Sequence, residues 1–537
     1  MDLEAPRSPR PYLGIVAAIA LCSCGGGGGG GDSTSGNPSQ SGSGGNANVW
    51  TPGVFKPSAN FQAQCAAPRS GTDPVTGKAY PDVKGSTLAE NNWLRSWTNE
   101  LYLWYDEVAD LDPSVYATAD YFNKLKTTQT DSAGQAKDKF HFTYTTSTWE
   151  TLESTDVQVG YGVQWVLVSA TPPRQLLIAY TIPNTPATAA NLARGAEILT
   201  IDGVDVINAG DQASVNTLNS GISPGKVGES HTFTVRDLNA STTRTVTMTA
   251  QSVTENPVPV VTTFQTNLGK VGYMVFNDQL ATAESGLVNA VNQLKSAGIS
   301  DLILDIRYNG GGLLDIASEL SYMIAGPGPT AGRTFYNLQF NSKNPTTNPV
   351  TGKPLAPNGF DTSTQGFSVS AGQALPTLNL ARVFVLTGPS TCSASEAVIN
   401  GLQGVNVQVI QIGTTTCGKP YGFYPQDNCG TTYFSIEFRG INAQGFGNYP
   451  DGFSPSNSIS AANGASLPGC QVADDFSHAL GDPAEARLSA ALAYTANPSC
   501  PAQSATPGAL KHVRRPLSAT DGQIVRPPVR EIMVVPR

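Results

Sequence analysis

The sequence predicts an α/β protein: a largely parallel sheet of repeated strand–helix–strand units over 254–500, preceded by a β-rich module and a small helical segment. Three observations carry this. In 254–500, apolar runs at 271–276, 302–306, 382–387 and 405–412 alternate with helical patterns at 284–297, 313–323 and 394–402. In 155–253, period-two alternation marks strands at 163–168, 175–180 and 231–235, with a helix-like 187–193 and the turn Asp202-Gly203 between them. In 84–150, Leu94, Trp97, Leu101, Leu103 and Trp104 recur at roughly helical spacing, and 117–125 offers a second short helix.

Ahead of these elements, residues 1–24 read as a targeting segment. Arg7 and Arg10 precede a short apolar stretch, 13–21, and Leu21-Cys22-Ser23-Cys24 reads as a lipobox with Cys24 the lipidated residue. The stretch is too short to span a bilayer. Seven glycines follow Cys24, and 25–83 reads as a Gly/Ser-rich tether running into an irregular segment. A lipid anchor followed by a tether implies a body held at the cell envelope, and Gly25 directly after the anchor cysteine points to outer-membrane sorting in a bacterium with two membranes. The basic stretch 501–537, with Lys511, Arg514, Arg515, Arg526, Arg530 and Arg537, reads as a disordered tail.

The net charge of −9 argues against nucleic acid or an anionic membrane surface as the main partner, leaving a lipid anchor as the sole membrane contact. Setting aside Cys22 and Cys24 leaves Cys65, Cys392, Cys417, Cys429, Cys470 and Cys500. An even number in an oxidising compartment permits three disulfides, and closeness in sequence favours Cys417–Cys429 and Cys470–Cys500. There is no Cys-x-x-Cys or His pair at metal spacing, so no metal or other cofactor is implied.

The chemistry concentrates at strand ends. Ser393 follows the apolar run 383–387 and opens the helical pattern, so its hydroxyl lies near free N–H groups where an oxyanion is stabilised. Lys419 follows the next apolar run and acts as general base if burial strips its proton. Together they read as a Ser–Lys hydrolase. Glycines let a backbone approach a substrate, so the N–H groups of Ala394 and Gly311 are the expected oxyanion donors. Ser395 is the rival nucleophile; Glu396 in the first helical turn is expected to serve the helix dipole, and Arg307 and Asn309 to hold the glycine loop. Among the four histidines, His141, His231, His478 and His512, none lies in these segments.

The set Ser393-Ala-Ser-Glu396, Gly418-Lys419-Pro420, 305–312 (Asp-Ile-Arg-Tyr-Asn-Gly-Gly-Gly) and Gly160-Tyr161-Gly162-Val163 resembles the carboxyl-terminal processing peptidases, which include the tail-specific proteases and the tricorn core. The resemblance spans roughly 84–495. It implies a crotonase-like core (254–500), an inserted PDZ domain (155–253) that takes exposed polypeptide C-termini at 160–163, and a helical cap (84–150). The implied function is a serine endopeptidase acting on exported proteins; the same core in relatives also serves catalytically silent peptide-binding lipoproteins. In one position the chain departs from the family: a glutamine often stands four residues after the lysine, where this sequence has Phe423, with Gln426 a loose substitute.

Overall fold

The computed structural model describes residues 50–131, 134–155, 157–169, 172–457, 465–500 and 533–534. The lipobox with Cys24 and the glycine-rich part of the tether lie outside these residues. Residues 50–83, expected to be irregular, pack on the first helix: Cys65 is fully buried and bonded to Cys429. Helix α1 (Thr87–Leu101) starts at Ser86, whose side chain accepts from the Ala89 N–H, and buries Trp93, Leu94 and Trp97 on one face. Helix α2 (Thr118–Lys124) adds Tyr121 and Phe122 to the same cluster. The cap is not wholly helical, because β1 (Phe142–Thr145) pairs antiparallel with a strand at Thr431–Phe434.

The next module is an antiparallel sheet. Its strands β2 (Val163–Ser169), β3 (Gln175–Thr181), β4 (Glu197–Ile201), β5 (Ser230–Arg236) and β6 (Arg244–Thr249) lie in the order β6-β5-β4-β3-β2. Asp202 and Gly203 both take positive φ, 49° and 79°, as a tight hairpin turn requires. Only Pro186–Ala189 of the helix-like 187–193 is helical, while α3 (Gln212–Ile222) was not foreseen.

The core sheet runs β7 (Val260–Thr266), β8 (Gly269–Val275), β9 (Asp301–Asp305), then, past β10 (Gly312–Leu313), β11 (Arg382–Thr387), β12 (Gln408–Gly413) and β13 (Gly469–Gln471). From β8 onward every neighbour is parallel. Val383 and Val385 face α4 (Ala283–Ala297), α5 (Leu314–Ala325) and α6 (Ala394–Gly404), whereas Phe384 and Leu386 face α7 (Ala486–Ala496). Helices on both faces account for strands that read as continuous apolar runs. Parallel strands put the loops after β9, β11 and β12 at one edge of the sheet, and these loops carry the glycines, Ser393 and Lys419.

Two expectations need correction. The pairing Cys417–Cys429 does not form: the bonds are Cys65–Cys429, Cys392–Cys417 and the expected Cys470–Cys500. Sequence proximity misled because the fold brings residue 65 to within 5.3 Å, Cα to Cα, of residue 429. In the tail, Met533–Val534 form a strand, β14, parallel to β10; the rest of 501–537 lies outside the described residues. Among the described residues, no helix is long and apolar enough to cross a membrane.

Candidate active site

Ser393 sits between β11 and α6 with φ +60° and ψ −118°, a conformation a non-glycine residue holds only under constraint. Its side chain is 0% exposed, and its Oγ has no hydrogen-bond partner. A buried hydroxyl without a partner costs free energy, so the fold maintains a strained, unsatisfied group there. Ser395 differs: its Oγ donates to the Asn309 carbonyl (3.2 Å) and accepts from Gln279 Nε2 (3.3 Å). The rival serine is committed to packing.

The constraint comes from Glu396. Fully buried, its carboxylate accepts from the Ser393 N–H (3.1 Å), the Lys419 N–H (2.7 Å), the Gly418 N–H (2.9 Å) and the Thr416 hydroxyl (2.5 Å). One carboxylate therefore ties the Ser393 turn to the Lys419 turn, a larger role than the helix dipole. Burial raises its pKa despite the four hydrogen bonds, which act the other way. The Cys392–Cys417 disulfide joins the same two turns covalently, so Cys392 offers no thiol.

Lys419 is also 0% exposed. Its Nζ lies 4.6 Å from the centroid of Phe423 and 4.8 Å from that of Phe140, which the cap contributes. Phe423, where an amide was expected, belongs to an aromatic group with Phe142 (5.8 Å) and Phe434 (5.2 Å). Phe140 was missed because nothing in its local sequence places it over the lysine. Beside the lysine turn a cleft of about 460 Å³ opens, lined by Glu107, Lys137, Phe140, Gly418, Tyr421 and Pro450 among others.

The glycine loop lies directly on Ser393. Gly311 has φ +104°, and a Cβ there would meet the Ser393 Cβ at 2.8 Å and the Ala394 nitrogen at 2.9 Å, so no larger residue fits. Its N–H does not point at Ser393, however; it donates to Asn309 Oδ1 (2.9 Å). The expected oxyanion donor is thus engaged in this structure. Beneath the loop, Arg307 is fully buried and paired with Asp305, Asp474 and Glu485. Burial opposes the ionised Asp474, but Arg487, Arg307 and Arg194 outweigh it and hold its pKa well below the usual carboxylate range. Arg194 brings the β-rich module into this network.

In that module the proposed peptide loop is partly structural. Tyr161 is buried against Phe233, 5.6 Å between centroids, and Gly162 packs on Thr185 with φ +74°. Gly160 pairs with Gln251, and Val163 opens β2, the sheet's edge strand. Among the described residues, the histidines His141, His231 and His478 make their hydrogen bonds to other groups. His141 contacts the Phe122 carbonyl at 2.9 Å, and burial lowers its pKa to about 4; His231 bonds Asp202 and His478 bonds Asp475.

Peptidase family S41 matches residues 270–423, a span that contains Ser393, Lys419 and the glycine loop. A carboxyl-terminal-processing protease of Picosynechococcus sp. is 28% identical over 261 residues, covering 48% of this chain and 54% of that protein. The chloroplastic carboxyl-terminal-processing peptidase 3 of Arabidopsis thaliana is 27% identical over 168 residues, 29% of this chain and 31% of that one. The chain thus spans about half the length of the first relative and a third of the second. A crystal structure of a putative S41 protease from Bacteroides fragilis superposes with a TM-score of 0.55 at 22% identity, covering 78% of this chain and 98% of that one, which shows a shared fold. Residues 270–423 are therefore a peptidase family S41 domain, in a chain homologous to the carboxyl-terminal-processing proteases.

Proposed function

We propose that the chain is a serine endopeptidase in which Ser393 is the nucleophile and Lys419 the general base. The observation that carries this reading is the unpartnered Oγ of Ser393 on a strained turn that Glu396 and a disulfide both tie to the lysine turn. Ser393 Oγ attacks the scissile carbonyl carbon while Lys419 Nζ takes the hydroxyl proton. The C–N bond breaks, the lysine returns the proton to the leaving amine, and water then cleaves the acyl ester by the same route. Full burial is the setting in which a lysine serves as a base rather than a surface cation, while the faces of Phe140 and Phe423 favour the ammonium. The Ala394 N–H is the first oxyanion donor; Gly311 becomes the second only when its N–H leaves Asn309.

In the same reading, the β-rich module acts as a PDZ domain that holds exposed C-terminal tails at 160–163, and β2 offers an edge for an added strand. The crotonase-type description of the core fits the parallel sheet with the site at its strand ends. Lipidation at Cys24 would hold the enzyme at the cell envelope, where its substrates are exported proteins. A second reading, a silent peptide-binding lipoprotein, has Phe423 beside the lysine and the engaged Gly311 N–H in its favour.

The deciding experiment incubates the full chain with an unfolded protein and compares it with Ser393→Ala and Lys419→Ala. Loss of cleavage in both variants is the expected result. Cleavage surviving Lys419→Ala overturns the base assignment, and no cleavage by the unaltered chain over several substrates selects the silent binder.

A further inference from the structure

Both proposed catalytic side chains are fully buried, and the short strand β14 pairs beside the glycine loop that packs on one of them. It pairs in parallel with β10, with Met533 opposite Gly312 and Val534 opposite Leu313. Gly312 directly follows Gly311, the residue packed on Ser393. β14 also comes close to Tyr421–Gly422, two and three residues past Lys419. The segment therefore bridges the glycine loop and the lysine turn. Each flank is only two residues long, and an added chain is the natural partner for so short an edge.

In the sequence, Ile532-Met533-Val534-Val535-Pro536 is an apolar run free of charge between Glu531 and Arg537. Leu313 on one flank is half-buried and packs on the Phe423 aromatic group, so the groove offers apolar contact beside main-chain hydrogen bonds. The chain reaches easily: Cys500 is fixed to the core by its bond to Cys470, and 501–532 separate it from Met533. At about 3.3 Å per residue such a length crosses any domain of this size. A tethered occupant competes at an effective concentration on the order of mM.

We infer that the groove between Gly312–Leu313 and Tyr421–Gly422 binds polypeptide as an added strand, and that the segment at Met533–Val534 of this same chain is its resident occupant. The tail is then a built-in competitor of outside substrates. The inference rests on the peptidase reading for its kinetic consequence, though not for the binding itself.

Two measurements separate these. In a Ser393→Ala background, a fluorescent peptide of residues 529–537 is titrated into the full chain with and without Met533→Pro and Val534→Pro together. Proline removes the ladder donors, and the two substitutions leave every residue of the core and of the proposed site unchanged. The expected result is at least tenfold tighter binding to the proline variant; equal affinity, or no binding to either, overturns the inference. With Ser393 intact, the same prolines should lower KM for a peptide substrate by a similar factor at constant kcat. Equal KM with both proteins active overturns the competitor and leaves the peptidase reading standing. A gain in binding with no cleavage by either protein sustains the groove and overturns the peptidase reading.

Discussion

Two buried charged groups hold the two halves of the candidate site, and they do so by different physics. Glu396 fastens the nucleophile and lysine turns through four neutral donors, with burial raising its pKa. Arg307 supports the glycine loop through three carboxylates, and Asp474 in that network is held strongly ionised. The first is a hydrogen-bond hub that tolerates little change in position. The second is an ion cluster whose members balance one another's desolvation. The turns of Ser393 and Lys419 are thus fixed by directional bonds, and the glycine loop stands on a less directional support.

The largest expected effect comes from Glu396→Ala, which strands the N–H groups of Ser393, Gly418 and Lys419. Each buried donor left without a partner costs roughly 1–3 kcal/mol. Displacing the two turns by about 1 Å should also cut kcat on the order of 100-fold. Thermal unfolding together with kcat checks this, and a variant with unchanged kcat would show that the hub does not position the pair. Next is Arg307→Met, expected to cost roughly 3–5 kcal/mol because it leaves carboxylates buried and unpaired. Denaturant unfolding measures it, and a loss below about 1 kcal/mol would mean that Arg194 and Arg487 suffice.

The smallest effect sharpens the contrast through pH. Asp474 titrates below its ordinary 3.8 when folded, so its stabilisation is complete above that value and is lost as pH falls towards the depressed one. Glu396 titrates above its ordinary 4.5, so the folded chain keeps a proton that the unfolded chain releases. Its contribution is therefore greatest below 4.5 and declines as pH rises through the raised value. Unfolding temperatures between pH 3 and 8 should show the wild-type advantage over Asp474→Asn growing with pH and that over Glu396→Gln shrinking. Slopes of the same sign would contradict the assignment.

Much of the core was legible because its strands are buried on both faces and read as unbroken apolar runs; 382–387 came out with the observed ends. Ser393, Lys419 and the glycines were legible because parallel strands deliver their loops to one edge. Helix α3 was missed since polar residues dominate it, although Val215, Leu218 and Ile222 sit at helical spacing and are buried. Phe140, the partner of Cys65 and the strand at Met533–Val534 depend on contacts between residues hundreds of positions apart, which no local pattern records.

The bond between Cys65 and Cys429 encloses most of the described chain in one covalent ring. A single backbone cut anywhere between Cys65 and Cys429, the loop of the second disulfide included, therefore releases nothing: both pieces stay joined at the mass of the whole chain. Self-digestion of a peptidase built this way would escape notice on any gel run without reductant, and its fragments would part only once the sulfurs were reduced.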